Sequence, residues 1–367
     1  MENNFFMKFL NALNKINGVG AQKTRLLLDF FGSAENIWKA PAGDLRKSGI
    51  PEKLAEKIIF ERDKINPEEE WEKLEKENIK IISFTDAIYP KLLKEIPNPP
   101  HIIYVKGADS YFDWNNFPML AIVGSRKFTQ YGKQVAENIA RDLARTGIII
   151  VSGMAIGIDA FAHRGALDAG GKTIAVLGSG LEDNMIGPKV NYNLSREIME
   201  NGALISDYPL GTSATEGTFP ARNRLMAGMT LGTLVIEAAE NSGSLITAGL
   251  ALEFNREVFA VPGPIFSPQS EGTNKLIQAG AKLAASAKDI LEELKIEERK
   301  TAEEVKKIIP ASKDEEKILK ILSHEPTHID NIIKLAKLET NVASSTLSIM
   351  EMKGIVKNIG GQNYIIL

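Results

Sequence analysis

The chain has 367 residues, 44% hydrophobic and 25% charged, with a net charge of −3 and no cysteine. This is the composition of a soluble globular protein of two or three domains with material for a sizeable core, and it excludes disulfides, iron–sulfur clusters and thiolate zinc sites. No apolar run approaches the roughly 20 residues that span a bilayer, and Met1–Leu10 lacks the basic and apolar regions of a secretory leader, so the expectation is a cytoplasmic protein with no membrane partner. Residues 5–65 read as helical: Leu10, Leu13 and Ile16, then Leu26, Leu27, Leu28 and Phe31, recur at helical spacing. Ile16-Asn17-Gly18-Val19-Gly20 separates the first two helices, and Pro51 precedes a third, Glu52 to Arg62. Residues 67–118 begin with a charged helix around Trp71, pass through a short strand, Lys80–Ser83, and become proline-rich at Pro90, Pro97, Pro99 and Pro100, which reads as a connecting segment.

Residues 119–291 alternate short apolar strands with amphipathic helices. The strands are Met119–Gly124, Ile148–Ser152, Thr173–Leu177, Ala203–Ser206, Thr233–Ala238 and Val258–Val261, apolar throughout as strands covered on both faces must be. Helical patterns lie between them, among them Tyr131–Arg145 and Leu245–Glu257. The fold class is therefore α/β, an extended Rossmann-like, doubly wound and mostly parallel sheet. Residues 292–311 are charge-rich and end at Pro310, the pattern of a tether. In 312–367 three helical patterns precede two strand-like pieces, Ile355–Ile359 and Asn363–Leu367, which predicts a winged-helix-like domain. The expected division is 1–66 helical, 67–118 connecting, 119–294 core, 295–311 linker and 312–367 winged helix.

The constellations with chemical potential gather at strand ends. Eight of the twelve arginines lie between Arg126 and Arg256, and arginine presents a planar fork of donors that matches phosphate. Gly124-Ser125-Arg126 ends the first core strand ahead of a helix, where backbone amides and the positive helix end favour an anion; the plain alternative is a turn with a surface arginine. At Ser152–Asp159, Gly153 lets backbone approach a ligand, and Asp159 either starts a helix or orients a contact. His163 reads as structural. Gly178-Ser179-Gly180-Leu181-Glu182-Asp183 imitates a dinucleotide fingerprint, but Asp183 stands where the last glycine belongs and would oppose a pyrophosphate. Phe219-Pro220-Ala221-Arg222-Asn223-Arg224 at a helix start is an anion trap, or else a set of salt bridges to carboxylates such as Glu237. Ser242, Gly243, Ser244 and Thr247 open another helix and either donate to phosphate or cap it. Val261-Pro262-Gly263-Pro264 with Gly272, Asn274 and Gly280 reads as a shaped loop. No nucleophile–base set, phosphate-binding P-loop or metal-ligand spacing stands out; no catalytic residue, metal or cofactor is expected.

Five ordered motifs carry a resemblance: Gly124-Ser125-Arg126 with Tyr131-Gly132, Ser152-Gly153-x-Ala155-x-Gly157-Ile158-Asp159, Phe219-Pro220-x-Arg222-Asn223-Arg224, Ser242-Gly243-Ser244-x-x-Thr247-Ala248, and Val261-Pro262-Gly263 before Gly272-x-Asn274-x-Leu276-Ile277. In these the chain resembles the bacterial DNA-processing protein A (DprA, Smf) family. The segment before the core resembles that family's helix-hairpin-helix or SAM-like domain, and the segment after it the family's winged helix. The resemblance implies a homodimer, not an enzyme, that binds single-stranded DNA, protects incoming DNA and loads the RecA recombinase onto it during natural transformation. It places DNA-binding roles on Arg126 and its loop, and on Lys189 and Asn191 in Gly187-Pro188-Lys189-Val190-Asn191. The family usually has Tyr-Pro where this chain has Gly187-Pro188, with an extra residue in Leu181–Asp183, so a stacking tyrosine is missing there; Tyr192 is the available substitute. Leu276 and Ile277 resemble part of the dimer-forming region, with core packing as the alternative.

Residue chemistry and resemblance converge on one expectation: a strand held by its phosphates, salt-sensitive and tolerant of sequence. Residues 119–291 hold fifteen Lys and Arg against sixteen Asp and Glu, which predicts a focused pocket rather than a broad basic face. The segment 312–367 is balanced, seven against seven, and Asn341–Met352 offers no basic residue, so protein contact or regulation is expected there rather than groove reading. The alternative function is a Rossmann-like nucleotide-binding enzyme related to lysine-decarboxylase-like nucleotide hydrolases, although Ala239–Ser244 lacks their Pro-Gly-Gly-x-Gly-Thr segment. A nicotinamide dehydrogenase and a protein scaffold are the other rivals.

Overall fold

The structure is a computed structural model that describes residues 2–107, 114–296, 312–323, 326–353 and 355–366. The chain divides into two compact units, Met1–Arg299 and Lys300–Leu367. The linker expected at 295–311 therefore lies almost wholly outside the described residues, as do Pro310, Gly354 and Leu367.

A nine-stranded sheet organises the first unit. Its strands are β1 (Ile79–Ser83), β2 (Ile102–Lys106), β3 (Met119–Val123), β4 (Ile149–Ser152), β5 (Thr173–Val176), β6 (Gly202–Ser206), β7 (Gly232–Val235), β8 (Glu257–Ala260) and β9 (Lys282–Leu283). They lie in the order β1-β2-β6-β5-β4-β3-β7-β8-β9. From β6 to β9 every pairing is parallel, with Leu120 opposite Ile150 on one side and Gly232 on the other. The expected α/β, mostly parallel sheet is what the sequence forms. Helices bridge the parallel strands, among them Gln130–Arg145, Ile158–Asp168, Thr218–Met229 and Gly243–Glu253, as parallel pairing demands.

The strands are buried along their length because both faces are covered: all five residues of β3 are buried. Successive residues point to opposite faces. Leu120 and Ile122 pack with Ala136, Ile139 and Leu143 of the Gln130–Arg145 helix, whereas Ala121 and Val123 pack with Leu225, Met226 and Met229 of Thr218–Met229. Each such leucine or isoleucine contributes ~1.5–3 kcal/mol by leaving water, which fixes the register that aligns the strand ends.

Residues 67–118 do more than connect. They supply β1 and β2, antiparallel to each other, with β2 also antiparallel to β6, so the prolines lie in the connection between two strands that extend an otherwise parallel sheet. Tyr89, fully buried, donates its hydroxyl to the Pro100 carbonyl at 2.6 Å, and Trp114 donates Nε1–H to Ile88 O at 2.6 Å. The N-terminal helices, including Glu2–Asn14, Ala21–Phe31 and Glu52–Arg62, share one apolar cluster with this end of the sheet, where Leu10, Leu13 and Ile16 meet Tyr104, Leu177 and Leu204. The Tyr104 hydroxyl donates to Asn11 Oδ1 at 2.7 Å.

In the second unit, helices Lys313–Leu319, Ile329–Ala336 and Thr340–Met352 enclose Ile318, Ile332, Leu347 and Met350. Strands β10 (Thr327–His328), β11 (Val356–Asn358) and β12 (Asn363–Ile366) form an antiparallel sheet in the order β10-β12-β11. This is a winged helix; its short first strand was not visible in the sequence.

Candidate nucleic-acid interface

After β3 the chain winds outward through β4, β5 and β6, then returns to place β7 against the other side of β3. The carboxyl ends of β3 and β7 thus flank the point where strand order reverses, the usual place for a ligand crevice in an open α/β sheet. A cavity of about 670 Å³ lies there, and four separate motifs line it: Gly124–Lys127, Ala155 with Asp159, Phe219–Asn223, and Asn241–Thr247.

The first wall is a tight turn. A Cβ on Gly124 would sit 2.7 Å from Ile158 Cγ1, so only glycine lets the helix Ile158–Asp168 approach. Ser125 Oγ accepts from Lys127 N at 3.0 Å and lies 2.9 Å from both Lys127 O and Gln269 Oε1, so the serine shapes the turn and ties it to the loop after β8. Arg126 is exposed, with its guanidinium 5.1 Å from the centre of the Phe219 ring. Among the described residues it forms no ion pair, so its charge faces the cavity uncompensated.

The second wall is built on Arg222, which is only 4% exposed. Nη1 donates to Gly153 O at 2.8 Å and to Val176 O, and Nε donates to Asn223 Oδ1 at 3.2 Å. Gly153 is the reason the guanidinium fits, since a Cβ there would lie 2.4–2.6 Å from Nη1, Nη2 and Cζ. Gly153 therefore makes room for a protein arginine rather than for a ligand. The Asp159 carboxylate accepts from the amides of Gly153 (3.1 Å) and Ala155 (3.4 Å). Burial raises its pKa against the opposing pull of Arg222. Burial in turn pushes Arg222 down to about 10, with Arg126 adding to the fall, and the group stays cationic at neutral pH. Nη2 of Arg222 has no hydrogen-bond partner among the described residues.

The third wall is the start of the helix Gly243–Glu253, capped by Ser242, whose Oγ lies 2.8 Å from Ser244 Oγ. Thr247, 1% exposed, lines the cavity without a hydroxyl partner among the described residues, and Asn223 Nδ2 is likewise unpartnered. Donors that open onto one cavity beside a positive helix end mark a place for an anionic, hydrogen-bonding ligand. The cavity also carries Glu216, Glu240 and Glu271, the last two bridged by Lys275 at 2.6 and 3.2 Å. The positive field is accordingly confined to Arg126, Lys127 and Arg222.

Other residues singled out in the sequence stand elsewhere. Arg224 does not line the cavity; its guanidinium is ion-paired with Asp207 and donates to Asn98 O at 2.7 Å. Asn191 braces the wall from behind, its amide donating to Met154 O (2.9 Å) and Ala155 O (3.2 Å), with exposed Lys189 two residues before it. Tyr192 is partly buried against the core. Asp183 accepts from Lys106 at 2.7 Å. Among the described residues Glu237 pairs with no arginine; it accepts from Thr129 N (2.9 Å) and Oγ1 (2.5 Å) and so secures the start of Gln130–Arg145. His163 is buried, with Nδ1 2.7 Å from Thr173 Oγ1. Leu276 packs on the core and Ile277 is partly exposed. Gln269 was missed as a wall residue, and only proximity in the fold reveals it; Phe219, named in its motif, faces the Arg126 guanidinium.

Residues 80–295 match the family model of the DNA recombination-mediator protein A, and residues 302–362 that of the DprA winged helix domain. Protein Smf of Synechocystis is 34% identical over 96% of this chain and 97% of its own length. DNA processing protein DprA of Bacillus subtilis is 41% identical over 59% of this chain and 72% of its own. Among solved structures, DprA of Streptococcus pneumoniae superposes with a TM-score of 0.67 at 35% identity, covering 80% of this chain and 98% of that one. DprA of Helicobacter pylori, whose structure is described for its single-stranded DNA binding mode, gives a TM-score of 0.52 at 30% identity, covering 59% and 95%.

Proposed function

The chain belongs to the DNA recombination-mediator protein A family, and from that premise we propose that it binds single-stranded DNA, holding successive phosphates at the cavity between the carboxyl ends of β3 and β7. The observation that carries this reading is the convergence of Arg126, the inner edge of Arg222 and the start of Gly243–Glu253 on one cavity, where Arg126 makes no ion pair among the described residues. Arg126 supplies an exposed charge. Arg222 supplies a fixed one, held by Gly153 and Val176. Ser244, Thr247 and Asn223 supply neutral donors, a set that grips the sugar–phosphate backbone without reading base edges. Lys189, Ser242 and Gly243 extend the contact along the rim. In this reading Gly124, Ser125, Gly153 and Asn191 shape the walls, and Arg224 braces the outer side through Asp207.

The biological role that fits such a protein is protection of an incoming strand in the cytoplasm and loading of RecA onto it during natural transformation, without catalysis of its own. A homodimer through the edge of the sheet fits the exposed Leu283 on β9 and the partly exposed Ile277 on the helix Glu271–Gln278 that precedes it. The test is a gel shift with single- and double-stranded oligonucleotides of equal length across a salt series. Preference for the single strand, weakening as salt rises, is expected; equal affinity for both forms, or none, overturns the reading.

A further inference from the structure

The two most exposed large apolar side chains among the described residues are neighbours, Phe266 at 93% and Ile265 at 82%. They form the tip of the loop between β8 and the short turn Pro268–Ser270, whose Pro268 and Gln269 line the cavity. The loop is held in shape. Asn274 clamps Gly263 from both sides, accepting from its amide at 3.2 Å and donating to its carbonyl at 3.1 Å. Tyr131 donates to Pro262 O at 2.8 Å, Ser267 N donates to Pro264 O at 2.9 Å, and the Gln269 side chain reaches Ser125 Oγ at 2.9 Å. The Ser270 side chain fills the space beside Gly263 that any Cβ would need. A pinned loop that offers a phenylalanine to water, two residues from the wall of the cavity, is a preorganised platform rather than a fraying turn.

Resting on the single-stranded DNA reading above, we propose that the Phe266 ring stacks on an unpaired base of the strand whose phosphates enter the cavity, with Ile265 covering its edge. A strand held by its backbone on one side turns its bases outward, and every base has a face that an aromatic ring can meet irrespective of sequence. Stacking would give the protein a preference for unpaired over paired DNA that phosphate contacts alone do not supply, because paired bases keep their faces within the duplex.

The test compares the full chain with Phe266→Ala and Phe266→Trp on two labelled strands of equal length and charge, oligo-dT and a wholly abasic strand, by fluorescence anisotropy over a salt series. Phe266→Ala is expected to bind oligo-dT about 10-fold more weakly, equivalent to about 1.4 kcal/mol and within the range for one stacked base. The salt slope stays unchanged, and so does the abasic affinity. Phe266→Trp is expected to restore binding, with indole emission quenched by oligo-dT only. Phe266→Ala that matches the wild type on oligo-dT, or that loses both strands equally, overturns the stacking role while leaving the phosphate reading intact. A wild-type chain that binds neither strand overturns both.

Discussion

Arg222 and Arg126 sit in motifs of the same type, yet the structure assigns them opposite energetic roles. Replacing Arg222 by alanine would leave Gly153 O, Val176 O and Asn223 Oδ1 without their donor. It would also leave the buried Asp159 carboxylate without the nearby positive charge that opposes its raised pKa. Each abandoned buried acceptor costs about 1–3 kcal/mol. Because Arg222 borders the cavity, water can enter and recover part of that, so the low end applies and the sum is about 3 kcal/mol. For a unit of this size about 1 kcal/mol corresponds to ~2 °C, so the melting temperature should fall by about 6 °C. Arg126→Ala, at an exposed position, should stay within ~0.5 kcal/mol of the wild type. Differential scanning calorimetry of the two variants and the wild type decides the matter. Arg222→Ala melting with the wild type, or Arg126→Ala melting well below it, would refute the assignment of a fold-holding role to Arg222 and not to Arg126.

Gly153→Ala should reproduce much of the Arg222→Ala loss, since its methyl would stand 2.4–2.6 Å from the guanidinium; a urea midpoint equal to the wild type would show that the guanidinium has room to move. His163 gives a pH signature. Burial, aided by Arg222, holds it down at about 3 in the fold, against an ordinary value of about 6.5. The folded state binds fewer protons, so this contribution is complete above about pH 6.5 and is lost as pH falls toward 3, at about 1.4 kcal/mol per unit. Between pH 7 and pH 5, His163→Gln should therefore lose about 2 kcal/mol less than the wild type in urea titrations. An equal loss would mean that His163 takes up its proton as readily in the fold as in the unfolded chain. His101, held at about 4 by burial, supports a further decline common to both proteins.

The parallel core was legible because strands buried on both faces must be short and apolar and must alternate with helices, a pattern that Met119–Val123 through Glu257–Ala260 displays openly. The strand Ile102–Lys106 was not, although all five of its residues are buried. Pro97, Pro99 and Pro100 stand immediately before it, and prolines read as linker wherever the partner strand cannot be seen. The site was legible as a set of motifs but not as a division of labour. A buried arginine and an exposed one look alike in sequence, and what separates Arg222 from Arg126 is a glycine 69 residues earlier in the chain that leaves space for one guanidinium. Arg224, two positions on, turns to Asp207 because the helix Thr218–Met229 carries it to another face. The pairing of Ser125 with Gln269, separated by 144 residues, likewise leaves no local trace.

The central claim is that charge is delivered to a nucleic-acid strand at one cavity, by Arg126 and not by Arg224. The most direct measurement is the affinity of wild type, Arg126→Ala and Arg224→Ala for a single-stranded oligonucleotide by anisotropy, each from low to high salt. Arg126→Ala should bind about 10-fold more weakly, with a salt slope reduced by about one, and Arg224→Ala should follow the wild type. Equal losses from both, or an Arg126→Ala curve that overlies the wild type, would contradict the account.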